Sequence, residues 1–469
     1  MGSNKRLSAD ILASFPAARW LPILLCFVSV QALALTPSRM LTQYGHTAWH
    51  VQDGELGGAV TSVTQTSDGY LWVGTRAGLL RFNGAEFLPL APTLDEPLRS
   101  PRVLSLLAAR DGSLWIGTGN DLEHWQGSRL THYPAAVGYI AGYINDIEQT
   151  KDGSIWVARS RVSDSDGPLC RVERERLRCF GEKDGISLPY VVDVLETPEG
   201  ELLIRSDSRI ARWNPTTSIS TELNVFNDSA ADGIQSLAFD SDGTLLIGTA
   251  QANRGGGLLA LNGGKPKALV RGSFNGADVP VQTIMIDSHQ NLWIGTLGYG
   301  VYRVSQSRVD RFGSADGLSS DSVNKIFEDR EGNIWVATQG GIDRFREMKV
   351  PSYSAREGLS ADLVSAVLAA SDGSIWISNW HALDVLANGA VTSFRAGAGL
   401  PGEEVTSLFE DSRHRIWVGV DDALYLYENR LYEGGKFRMV TVRDDPIDCR
   451  RSAQRHLART HQRRCRSLA

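Results

Sequence analysis

One eight-residue phrase, Asp68-Gly69-Tyr70-Leu71-Trp72-Val73-Gly74-Thr75, returns as Asp111-Gly112-Ser113-Leu114-Trp115-Ile116-Gly117-Thr118, and then as Asp152-Gly153-Ser154-Ile155-Trp156-Val157-Ala158. Further copies surround Trp293, Trp335, Trp376 and Trp417. Wherever adjacent copies both keep the tryptophan, the steps are 43, 41, 42, 41 and 41 residues. The 137-residue interval from Trp156 to Trp293 holds two degraded copies, with Leu203 and Leu246 in the tryptophan position. Nine repeats of about 41 to 47 residues have the length of one four-stranded propeller blade. The expected fold is therefore all-β, a β-propeller of four-stranded blades, and it points to recognition rather than chemistry.

The first repeat shows how the pattern makes structure. Val60 to Gln65 is a β-branched, small-residue strand, and Thr66-Ser67-Asp68-Gly69 is a turn whose glycine supplies positive φ. Tyr70 to Thr75 is a second strand, in which Leu71, Trp72 and Val73 are consecutive, so both of its faces are buried. Gly78 to Phe82 is a third strand, Asn83-Gly84 a second hairpin turn, and Glu86-Phe87 begins the outer strand. Trp72, Trp115, Trp156, Trp293, Trp335, Trp376 and Trp417 read as structural wedges between neighbouring blades.

The chain carries a formal net charge of -6 over 469 residues, unevenly spread. Residues 35–442 hold 37 basic and 50 acidic groups, a balance of -13, which argues against a nucleic-acid partner. Residues 1–34 read as a signal peptide: Lys5, Arg6 and Arg19 precede the apolar run Leu21 to Val30, and Ala32-Leu33-Ala34 offers a cleavage site. That run is too short for a comfortable bilayer span, so the expected location is periplasmic. Cys170 and Cys179 flank eight residues that suit a short hairpin, giving either a disulfide or two free thiols on neighbouring strands.

The motif resembles the repeat of the two-component regulator propeller family. The copy from Asp316-Gly317-Leu318 through Asp329-Arg330-Glu331-Gly332-Asn333-Ile334-Trp335-Val336-Ala337-Thr338 to Arg344-Phe345 matches almost throughout, and Trp49-His50-Val51-Gln52-Asp53-Gly54 is similar to the family's opening. The resemblance covers about residues 41–435. It implies a bacterial sensor, with propellers in the periplasm ahead of a membrane span and a histidine kinase or diguanylate cyclase. It also implies an oligosaccharide or other small ligand and the homodimer seen in receptor relatives.

Two seven-bladed rings would need fourteen repeats, and nine are present. The expectation is a first propeller over 41–350, an incomplete second one over 351–435, and membrane attachment only through a segment missing downstream. A single ring of eight or nine blades is the competing arrangement. Residues 443–469 hold eight Arg, Cys449, Cys465, His456 and His461 without apolar periodicity, and read as a disordered end translated out of frame. An arginine-rich nucleic-acid tail or a Cys/His metal site are the alternatives, although the paired spacing of a zinc motif is missing.

A search for chemistry finds no nucleophile elbow, zinc-protease helix, phosphate loop, kinase or cyclase motif. No catalytic residue, metal ligand or cofactor is therefore expected. Ligand contacts belong where repeats depart from the template: the insertions Arg159 to Leu169 and Ala250 to Gly257, and Ser378-Asn379-Trp380-His381 in the eighth repeat. Tyr299 and Trp380 offer aromatic platforms for a sugar ring, with Asn379 and His381 as hydrogen-bond partners. A ligand-sensing receptor region is the leading function. A propeller-scaffold lyase or hydrolase and a periplasmic protein-interaction scaffold are the alternatives.

Overall fold

The computed structural model of the chain describes residues 35, 39–90, 97–133, 142–160, 167–174, 176–223, 225, 233–253, 255–305, 308–428 and 436–439. The expected signal peptide (1–34), the basic end (443–469) and residues 161–166 of the first insertion lie outside the described residues. The described elements are strands, antiparallel except for the short pairing of Arg395-Ala396 with Gly399-Leu400, and short 3-10 turns; among the described residues there is no α-helix.

Each repeat is one sheet. The first pairs Val60–Gln65, Leu71–Thr75, Leu79–Phe82 and Phe87–Pro89 in sequence order. The next five follow the same order, beginning at Val103, Tyr143, Asp193, Ile234 and Thr283. The seventh differs, because its fourth strand comes from Gly45–His50, which pairs with Gly341–Arg346 in the register Trp49↔Ile342. Side chains on the first strand of one sheet reach the backbone at the start of the next. Thr61 Oγ1 donates to Val103 O at 2.9 Å and Asn145 Nδ2 to Val191 O at 3.1 Å. Asn324 Nδ2 donates to Val60 O at 2.7 Å, joining the seventh sheet to the first. Thr61, Asn145 and Asn324 each occupy a β-bulge, the extra residue that re-aims a side chain out of the ladder.

The tryptophan wedge repeats around this circuit. The tryptophan of one repeat meets the last apolar residue of the third strand in the next. Trp72 faces Trp125 at 5.0 Å between ring centroids, Trp156 faces Trp213 at 5.7 Å, and Trp293 faces Phe345 at 6.4 Å. Where the wedge is leucine, the receiving residue is aliphatic: Leu203 shares a core with Leu261, and Leu246 with Val304. A smaller wedge with a smaller receiver keeps the interior filled, so these two repeats are matched replacements.

Three other motif positions support the wedge. The aspartate six residues before it accepts the indole N–H, Asp287 from Trp293 and Asp329 from Trp335, both at 2.7 Å. The arginine paired with it stacks over the ring, with the Arg344 guanidinium 5.4 Å from the Trp335 centroid. The glycine two residues after it lets the next sheet approach: a Cβ on Gly74 would lie 2.6 Å from Val103 Cγ1.

Two more sheets follow. The eighth contains Ala366–Ala369, Ile375–Asn379, Ala382–Ala387, Ala390–Ala396 and Gly399–Leu400. The ninth contains Val405–Glu410, Ile416–Val420, Ala423–Glu428 and Lys436–Met439. The wedge joins them, with Trp376 4.7 Å from Tyr427. Trp417 is only partly buried, and Val367 and Ile375 on the eighth sheet are exposed. The ninth sheet also runs past residue 435, the expected end of the repeats, because alternating Lys436-Phe437-Arg438-Met439 supplies its last strand.

Candidate functional site

In the first, second and seventh repeats the link between the second and third strands is a two-residue turn organised by a threonine, Thr75, Thr118 or Thr338. Thr75 Oγ1 accepts from the Ala77 and Gly78 backbone N–H groups. Asn379 stands in that position in the eighth sheet: its Oδ1 accepts from His381 N at 3.1 Å, and it pairs with Ala382 across the turn. Trp380 and His381 are the turn residues, and Trp380 is 59% exposed. An exposed tryptophan is unlike the buried wedges, since it presents its ring to solvent at the sheet's end.

Beneath this turn lies Asp384, whose side chain is buried. It accepts from Ser360 N at 2.8 Å, from the Ser360 and Ser393 hydroxyls, and from Asn379 Nδ2 at 3.4 Å. The approach segment is thereby pinned against the turn. A cavity of about 420 Å³ opens between them, lined by Ser360, Leu363, Asn379, Trp380, His381 and Arg395, among others. That volume lies within the range of about 300–1,000 Å³ common for small-ligand sites. Arg395 pairs directly with Ala382 and so sits beside the turn.

Asn379, Trp380 and His381 thus share one cavity. Tyr299 is elsewhere, half-exposed in the corresponding turn of the sixth sheet, with its backbone N–H on Thr296 Oγ1 at 3.0 Å and its carbonyl accepting from Arg311 Nε at 2.8 Å. Sequence reasoning missed Arg395 and Ser360, which come from segments with no unusual motif. Their signal is the register of the third and fourth strands. Cys170 and Cys179 are directly paired on Leu169–Glu173 and Arg176–Phe180 and joined by a disulfide, with Arg159 Nη1 3.4 and 3.3 Å from the two sulfurs.

A second polar cluster lies where the first strands converge. Burial, then Asp193, pushes the Asp146 carboxyl up to about 7. Burial, then Asp146, Asp193 and Glu196, pushes Glu148 up to about 8. Lys325 of the seventh sheet opposes both shifts. Arg205 takes the place of the motif glycine in the fourth repeat, reaching Asp193 at 3.2 Å as well as the carbonyls of Ile234 and Gln235. Among the described residues no group of three or more His, Cys, Asp or Glu is arranged to hold a metal ion. No helix among them is long and apolar enough to cross a membrane.

Repeated four-stranded sheets packed against one another through a common wedge define a propeller-type all-β protein. Residues 54–77, 97–120, 317–340 and 399–422 match the two component regulator propeller family model, so the chain carries the repeats of that family. It is similar in structure to the extracellular domain of a protein described as a hybrid two component system, BT3049 from B. thetaiotaomicron (TM-score 0.62, 19% identity, 84% of this chain and 54% of that one). It is also similar to the extracellular domain of BT4673 from the same organism, described as a one component system (TM-score 0.50, 16% identity, 79% and 51%). Virginiamycin B lyase from Staphylococcus aureus is a third similar fold (TM-score 0.50, 14% identity, 65% and 100%). The chain spans about half the length of the first two structures. Among curated proteins no sequence match was found.

Proposed function

We propose that this chain is the ligand-sensing, extracytoplasmic propeller region of a two-component-type receptor, and that it recognises a saccharide at the eighth sheet. The observation that carries the reading is the cavity that unites Asn379, Trp380 and His381, three residues that break the repeat template at one turn. A solvent-facing indole stacks on the apolar face of a sugar ring, and the neighbouring amide and imidazole supply directional hydrogen bonds. The family's repeats and the export-type N-terminus of the sequence favour a receptor over a free-standing enzyme. In this reading residues 41–350 form the first ring and the sheets beyond it belong to a second.

Calorimetric titration of the chain with a panel of oligosaccharides tests this. Binding without turnover that is lost in Trp380→Ala supports it. Conversion of an oligosaccharide to products, or no binding across the panel, defeats it.

A further inference from the structure

We propose that the cavity at the eighth sheet takes an acidic saccharide, with Arg395 pairing to the carboxylate of a hexuronate ring that stacks on Trp380. The inference rests on the reading that this cavity binds a saccharide, and adds the class. Its basis is the charge inventory of the walls. Arg395 is exposed, lines the cavity and makes no ion pair among the described residues. Asp384, the carboxylate beneath the turn, is buried and already engaged by Ser360, Ser393 and Asn379. None of the residues lining the cavity is acidic. The walls therefore present a guanidinium and an imidazole with no competing anion.

The setting sharpens this. Residues 35–442 carry a balance of -13, so the general surface repels anions. A local cation on such a surface selects by contact geometry instead of by long-range attraction. A planar guanidinium matches a carboxylate with two parallel hydrogen bonds. The register fixes the spacing, because Arg395 lies opposite Ala382, the residue that follows the Trp380-His381 turn. One end of the sheet thus offers a flat apolar platform and a carboxylate fork side by side.

The test compares oligogalacturonate and oligomannuronate with their methyl-esterified forms, which keep ring and linkage but lose the charge. Isothermal titration of the full chain should show the acid form of at least one series binding about tenfold or more tightly than its ester, the scale of a charged hydrogen bond. Arg395→Gln should abolish that preference, and Arg395→Lys should retain part of it. Trp380→Ala should weaken acid and ester alike. Equal binding of acid and ester, or binding of neutral oligosaccharides alone, overturns the acidic class but leaves a saccharide sensor standing. Absence of binding by every saccharide overturns both. A preference for acid that survives Arg395→Gln, with the variant's melting temperature unchanged, overturns the role of Arg395.

Discussion

Trp335 in the seventh sheet meets Phe82 in the first edge to face, with 5.4 Å between ring centroids and 72° between planes. The same wedge contact that links consecutive repeats along the chain thus links two repeats far apart in sequence. Trp49, on the strand Gly45–His50, stacks on Trp335 at 5.7 Å and meets Phe82 edge to face at 5.4 Å. Closure of the circuit is an ordinary inter-repeat contact reinforced by one borrowed strand.

Removing that wedge should cost more than removing the last one. Trp335→Ala leaves a cavity among Phe82, Phe87 and Trp49 and should destabilise the chain by about 3–5 kcal/mol. Trp417→Ala, at a partly exposed tryptophan, should cost well under half of that. Urea denaturation of both variants checks the order, and equal losses would contradict the closure role given to Trp335.

The glycine position after the wedge should resist change in both directions. Gly74→Ala places a Cβ 2.6 Å from Val103 Cγ1 and should destabilise by about 1–3 kcal/mol through overpacking. Arg205→Gly restores the motif residue in the fourth repeat, yet it should also destabilise, by about 2 kcal/mol, since Asp193 and two carbonyls lose their donor. A melting temperature for Arg205→Gly at or above that of the parent would refute the bridging role.

The converging acids should make stability fall with rising pH. Asp146 and Glu148 have ordinary values of 3.8 and 4.5 but titrate near 7 and 8 in the folded chain. Between those limits the native state holds protons that the unfolded state has released, so their contribution is fully present below about pH 4 and lost as pH rises toward 8. The fit of Glu148→Gln is to gain melting temperature over the parent at pH 8.5, by about 2–4 °C, with little difference at pH 4.5. A gap that is the same at both pH values would show that Glu148 is not protonated in the fold.

Reduction of Cys170–Cys179 should lower stability without opening the sheet. In the chain-entropy view a bridge across a loop this short contributes about 2–3 kcal/mol. The double variant Cys170→Ala/Cys179→Ala should therefore melt lower but keep its far-ultraviolet circular dichroism. Identical melting of the parent with and without reductant would count against a formed bridge.

Much of the fold was legible because the repeat writes each blade's chemistry in adjacent residues. Turn glycines, the wedge and the consecutive apolar residues around it lie within eight positions, and the strands of the first sheet fall within one residue of expectation. The borrowed strand Gly45–His50 was not legible, because its partner lies some 300 positions away and leaves no periodic trace. The receiving residues of the wedge were equally hidden: Leu261 and Val304 look unremarkable until packed against Leu203 and Leu246. At the cavity, the broken template marked Asn379, Trp380 and His381, whereas Arg395 is visible only through strand register.

The strand Gly45–His50 also sets a schedule. Its partner, Gly341–Arg346, is the last element of the circuit to be synthesised. Until then the first sheet presents the face that will receive Trp335, uncovered, with Val73 and Phe82 exposed to whatever is nearby. A chain of this design leaves that face open to its neighbours for the whole time taken to make the five sheets between the first and the seventh. Its vulnerable period is therefore before maturity, while the early repeats still await the seventh.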